Sequence, residues 1–240
     1  MSFGSEDLPI ELRDAINEAK SHNVILLASA GNFGNLRPIS YPAKKIGVFK
    51  IFAADRLGNP AGFSPPPDDD TAHCFFLLGC RIMSTWPSNL RTQTETELDV
   101  FCWDSQKRQP RSVCPHPKIE CDWRTVMSGT SFATPIAAAV VAIIYQFYNV
   151  NQDRINLRDG SEKNFKTPEA VQAILTHMSR LVSTERFKFV EPIRGRDDRF
   201  QFKFNEKASE KGGDALNRDL QTPIEFFSKR LTEILEDEYI

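Results

Sequence analysis

Met127-Ser128-Gly129-Thr130-Ser131-Phe132-Ala133-Thr134-Pro135 sets a run of small residues directly against an apolar segment with helical character, Ile136 to Phe147. A serine in the first turn of a helix gains twice. Its hydroxyl sits at an exposed corner, and its backbone N–H is one of the unpaired donors that carry the positive end of the helix dipole. Such an N–H can receive the negative oxygen that forms when the hydroxyl attacks a carbonyl. Pro135 stands inside the helix, where propensity alone would keep proline out. The stretch therefore predicts a nucleophile in the first turn of a helix, with Ser131 as the candidate.

Upstream, Val24-Ile25-Leu26-Leu27-Ala28-Ser29 reads as a buried parallel strand, a short apolar run that ends at Ala30-Gly31-Asn32-Phe33-Gly34. Pro9 to Lys20 before it reads as an amphipathic helix, with Ser5 or Asp7 near its cap, and Ile46 to Ala54 reads as the next strand. Helix followed by strand is the repeat unit of a parallel α/β sheet.

G-T-S-x-A-x-P at 129–135 resembles the serine signature of the subtilisin-like peptidases, and A-G-N-x-G at 30–34 resembles the asparagine segment of that family. Tyr41-Pro42-Ala43, Gly62-Phe63-Ser64 and Gly79-Cys80-Arg81-Ile82-Met83-Ser84-Thr85 resemble further family segments in the same order. The resemblance implies a three-layer α/β fold around a parallel sheet, incomplete at the N-terminal side. It implies a serine endopeptidase acting on polypeptides, with Ser131 as nucleophile and Asn32 in the oxyanion hole. Met1-Ser2-Phe3-Gly4 resembles an interior cleft strand, so Ser2, Phe3 and Gly4, together with Ala28, Ser29, Ala30 and Gly31, are expected to line the substrate by backbone pairing. The alternatives with no catalytic role are a helix cap for Ser131 and a left-handed turn residue between glycines for Asn32.

The catalytic triad of such enzymes runs Asp, His, Ser along the chain. The histidines before Ser131 stand in Ser-His22-Asn, Ala-His73-Cys and Pro-His116-Pro, and none resembles the family's H-G-T; no D-[ST]-G turn precedes them. The expectation is a chain without its triad Asp and His, of which a scaffold retained as a binding or regulatory module is the alternative. An α/β-hydrolase is excluded, because Ala133 stands where G-x-S-x-G needs its second glycine.

The 240 residues are 40% hydrophobic, enough for a sizeable core, and the net charge of −2 offers no footprint for nucleic acid. The apolar run Ile136 to Ile144 is too short to span a bilayer, so no membrane partner is expected, and the pattern implies no cofactor. Five cysteines, an odd number, and an N-terminus with Glu6 and Asp7 point to the cytoplasm. Cys102, Cys114, His116 and Cys121 are a zinc candidate against ordinary loop cysteines. Asp68-Asp69-Asp70, after three prolines, are a calcium candidate against a solvated turn.

Residues 1–185 are expected to form the peptidase-like domain, with a surface insertion at about 89–123. Residues 186–240 are expected as a C-terminal extension, in which Phe187–Val190 and Phe200–Phe204 alternate like exposed strands and Thr222-Pro223 opens a last helix. Further domains of a longer chain are possible partners. Thr167-Pro168-Glu169 is a helix start: a capping threonine, proline at the first position, then an acid.

Overall fold

A computed structural model describes residues 1–85, 101–104, 109–111, 122–151, 167–182 and 187–191. The expected strand at 200–204, the terminal helix, and Cys114, His116 and Cys121 of the zinc candidate lie outside them.

Strand β1 (Leu27–Ser29) pairs in parallel with β2 (Phe49–Ala54), and β2 with β3 (Cys74–Leu78). The sheet continues through β9 (Phe187–Val190), parallel to β3, to β8 (Ser179–Val182), antiparallel to β9. All six residues of β2 are buried. This burial on both faces follows from the period-2 alternation of a strand covered by helices above and below. Phe49 and Ile51 point to a core shared with helix α2 (Thr130–Val150) and helix α3 (Pro168–His177), while Phe52 and Ala54 point to a second core under helix α1 (Ile10–Ser21). The result is three layers, as expected. In the second core Phe76 stacks on Phe52 at 4.8 Å and meets Phe187 edge-on at 5.0 Å.

Several expected boundaries move. The first strand is only three residues long, because Val24 is exposed and the chain reaches the sheet at Leu27. Helix α1 starts at Ile10 with Pro9 as a cap that offers no side chain; Ser5 instead donates to the Asp7 carbonyl. Helix α2 is longer than its apolar run, at 21 residues with mean hydropathy 1.5, so by length and composition alone it would reach across a bilayer. Its buried face, with Ala133, Ala137, Val140, Val141 and Ile144, belongs to the core on the sheet.

Two expectations are corrected outright. The segment at about 89–123 is not only a surface excursion: β5 (Phe101–Asp104), β6 (Gln109–Arg111) and β7 (Asp122–Met127) join β4 (Ile82–Thr85) in an antiparallel sheet ordered β4-β7-β5-β6. Phe187–Val190 is a hairpin arm, antiparallel to β8, but not an exposed one, since β9 lies between β3 and β8 with Phe189 and Val190 buried. The capping threonine behaves as read, with the Thr167 hydroxyl accepting from the Ala170 N–H and Pro168 opening α3.

At the N-terminal ends of β2 and β3 the sheet buries a charge. The Lys50 side chain is 3% exposed, and its ammonium donates to Asp68 Oδ1 at 2.8 Å and Asp70 Oδ2 at 2.9 Å. Asp70 Oδ1 also meets His73 Nδ1 at 3.1 Å. Burial alone would pull the Lys50 pKa down, but its hydrogen bonds to both carboxylates outweigh it and hold the pKa above its ordinary value. Burial would raise Asp70, and its bonds to Lys50 and His73 instead hold it below the usual carboxylate range. Asp68 and Asp70 thus serve a lysine rather than a bare solvated turn. Among the described residues no group of three His, Cys, Asp or Glu is arranged to hold a metal. Desolvation pushes the neighbouring Cys74 thiol up to about 12, so it stays protonated and inert.

An asymmetry follows. Removing both carboxylates in D68N/D70N strands a buried ammonium and should cost about 3 kcal/mol, the low end for a broken buried pair because each carboxylate is about 40% exposed. Lys50→Met removes the charge itself and should change stability by less than about 1 kcal/mol. Urea unfolding of the two variants reads the difference. Because Asp70 is depressed in the folded state, its contribution is complete above its unfolded value of about 4 and is lost as pH falls through the lower folded value. Acid unfolding of the wild type should steepen there, and in D68N/D70N the Asp70 part of that slope should disappear.

Candidate active site

The site lies at the opposite, C-terminal ends of β1 and β3, where α/β sheets place their ligands. Strand β7 delivers the chain to Gly129, whose N–H donates to the Gly79 carbonyl at 2.8 Å just beyond β3. The Arg81 N–H donates to the Ser128 hydroxyl at 2.9 Å and clamps the same junction. A Cβ on Gly79 would stand 2.5 Å from the Ala53 side chain and 3.0 Å from the Gly129 carbonyl, so the close approach needs glycine. Helix α2 begins immediately after, with Thr130 and Ser131 in its first turn.

The two candidate catalytic residues, 99 positions apart in sequence, meet through Thr130. Asn32 Oδ1 accepts the Thr130 N–H at 2.8 Å and the Thr130 hydroxyl at 3.0 Å. Only an oxygen can accept from a backbone N–H, so these bonds fix which way the amide is turned. They leave the Asn32 Nδ2 donor beside Gly129, whose notional Cβ would lie 3.3 Å from it. Asn32 itself does not have a positive φ; Gly31 (119°) and Gly34 (54°) take that role on either side. The turn-residue reading of Asn32 is therefore corrected, because the glycines supply the left-handed conformations.

Gly34 is packed as tightly as it is twisted, with the Gly62 carbonyl only 2.6 Å from a notional Cβ. Gly34→Ala should cost about 1–3 kcal/mol from the left-handed backbone and the clash with main chain. Thermal melting checks this, and an unchanged midpoint would show that the Gly62 loop yields.

Ser131 is not a cap by hydrogen bonding. Gly129 holds the N-cap position of α2, and no side chain caps it. Among the described residues the Ser131 N–H has no acceptor, as expected for a first helical turn. The Ser131 hydroxyl donates to the Ser2 carbonyl at 3.1 Å. His22 bonds the Glu18 carbonyl at the end of α1, and His73 bonds Asp70 at the far end of the sheet. Among the described residues the partner of the Ser131 hydroxyl is thus main chain rather than imidazole.

The expected cleft residues divide. Met1 to Phe3 run beside β1: the Met1 ammonium donates to the Leu27 carbonyl at 2.6 Å, the Ser29 N–H to the Met1 carbonyl at 3.0 Å, and the Ser29 hydroxyl to the Phe3 carbonyl at 3.3 Å. Ser2, Phe3 and Gly4 are exposed. Ala28, Ser29 and Ala30 are buried. The Ala30 N–H donates to the Ile51 carbonyl and its carbonyl accepts from the Ser40 N–H, so its ladder groups are already used. Ala28, Ser29 and Ala30 thus lie in the buried strand behind the exposed Ser2, Phe3 and Gly4. Gly31, half-buried, donates to the Thr130 hydroxyl at 3.3 Å and links the strand to the helix. Ser40 and Thr130, which reasoning from sequence did not single out, are the residues that join these parts.

A subtilase family model matches residues 1–207. The chain is 28% identical over 164 residues to the minor extracellular protease Epr of Bacillus subtilis, covering 68% of this chain and 20% of that protein. It is 29% identical over 158 residues to a thermostable alkaline protease of Halalkalibacterium halodurans, covering 64% and 33%. Among solved structures, the prenylagaramide maturation protease PagA aligns with a TM-score of 0.51 at 21% identity, over 78% of this chain and 53% of that one. The chain therefore spans a fifth to a third of these curated relatives and about half of the solved structure. With the serine junction, the asparagine turn and the layered parallel sheet all present, the match over most of its length places the chain in the subtilase family of serine-type peptidases.

Proposed function

We propose that this chain carries the nucleophile and oxyanion half of a subtilase-type serine endopeptidase acting on polypeptides. Ser131 Oγ attacks the peptide carbonyl carbon, and the developing negative oxygen is held by Asn32 Nδ2 and the Ser131 N–H. The observation that carries this reading is the tether of Asn32 Oδ1 to Thr130, which frees the amide donor beside the helix end that bears the serine. A structural asparagine has no need to present its donor there.

The triad Asp and His are absent from this chain in this reading, and the proton of Ser131 is taken by an imidazole from outside the 240 residues. A second reading rests on the bond from Ser131 to the Ser2 carbonyl, which leaves the hydroxyl without a base: an inactive subtilisin-like module that binds or regulates. Reaction with a fluorophosphonate tests the two together. The proposal expects slow labelling confined to Ser131 and abolished in Ser131→Ala. Complete lack of labelling, even with an added base, would favour the binding module, and fast labelling would overturn the absence of the base.

A further inference from the structure

A cavity of about 330 Å³ lies between Gly4, Phe33 and Ser40, with Glu6, Arg37 and Lys44 on its walls. Its connection to the reactive serine is short. The Ser131 hydroxyl touches Ser2, two residues before Gly4. Ser40 lines the cavity, and Cβ atoms on Gly4 and Gly31 would come within 2.7 Å and 2.9 Å of its side chain. A side chain on Gly4, itself on the wall, would force Ser40 to shift. The rim is fixed by two main-chain bonds between Ser5 and Tyr41, both 2.9 Å.

The charges on the walls do not balance. Arg37 pairs with Glu6, and its guanidinium lies 4.3 Å over the Phe33 ring, which holds the plane in place. Lys44 has no carboxylate partner among the described residues; its ammonium stands 5.7 Å from the Tyr41 ring centre. The space thus has two cations and one anion, and Glu6, being the more exposed member of its pair, is the group an incoming carboxylate would displace. We propose that this cavity receives an acidic side chain of the bound polypeptide, adjacent to the residue whose carbonyl Ser131 attacks, with Lys44 and Arg37 as its ion partners. The inference rests on the peptidase reading for the identity of the ligand as polypeptide, but the pocket's preference does not depend on turnover.

The test is equilibrium binding of acetyl-Ala-Ala-Ala-Xaa-amide peptides, Xaa being Glu, Gln or Lys, to the Ser131→Ala chain. Glu should bind about tenfold tighter than Gln, with Lys weakest, because Glu and Gln differ in charge and hardly in shape. The advantage of Glu should shrink as salt rises, widen in Glu6→Gln, and vanish in R37Q/K44Q with the melting temperature nearly unchanged, since the exposed Arg37–Glu6 pair adds little stability. Equal binding of Glu and Gln, no binding of any peptide, or a Glu preference that survives R37Q/K44Q would overturn the pocket assignment. Fluorophosphonate labelling of the wild type separates the two ideas. A Glu preference without reactive Ser131 sinks the peptidase reading alone, and reactive Ser131 without the preference sinks the pocket alone.

Discussion

The isolated chain should phosphonylate at Ser131 about 10⁶-fold more slowly than a subtilase with a complete triad, and added imidazole should recover part of the rate. In subtilisin, removing the histidine alone costs nearly as much as removing all three triad members, about 2 × 10⁶ in kcat, while the oxyanion donors and binding still leave about 10³–10⁴ over water. Here the hydroxyl proton points at the Ser2 carbonyl, which can accept a hydrogen bond but cannot carry a proton away. A small diffusible base that enters the cleft supplies the missing function at low effective concentration. The recovered rate should therefore rise linearly with imidazole and follow its neutral form, increasing through pH about 7. A rate independent of imidazole, or already fast without it, would mean that a base within the 240 residues reaches Ser131.

How much of this was legible in sequence depends on how far apart the partners lie. The serine junction and the asparagine turn are local patterns, each written within about ten residues, and both could be read directly. The stretch from Ile46 to Ala54 could likewise be read as a strand, and the structure adds that its core, Phe49–Ala54, is buried on both faces. The second sheet could not be read, because β4 pairs with β7 about forty residues later, and its short strands are separated by polar and proline-containing segments. Antiparallel pairing at that distance leaves no local trace beyond weak alternation. The same holds for Lys50. A lysine inside an apolar run looks like an interruption until Asp68 and Asp70, eighteen and twenty residues on, are folded against it. Phe187–Val190 read as exposed because its alternation shows one apolar face, and the neighbour that covers it, β3, lies over a hundred residues upstream.

The long-range link between Asn32 and Thr130 carries the second large effect. Asn32→Ala should lower the imidazole-supported labelling rate of Ser131 by about 10²–10³, the loss seen when a subtilisin oxyanion-hole asparagine is removed. That loss by itself would not separate catalysis from structure, because alanine also frees the Thr130 N–H and hydroxyl. Asn32→Asp separates them. Its carboxylate keeps both bonds from Thr130, and the charge sits favourably against the N-terminus of α2, so stability should hold or rise slightly. The donor, however, is replaced by a negative oxygen facing the place where negative charge must develop. The aspartate variant should therefore react at least as slowly as the alanine variant while melting no lower than the wild type. If Asn32→Asp labels at the wild-type rate, the amide contributes nothing to the oxyanion, and Asn32 is only the strut that positions Thr130. The two variants read together thus divide one residue into its two halves: an oxygen that fastens the β1 turn to the helix, and a nitrogen left over for chemistry.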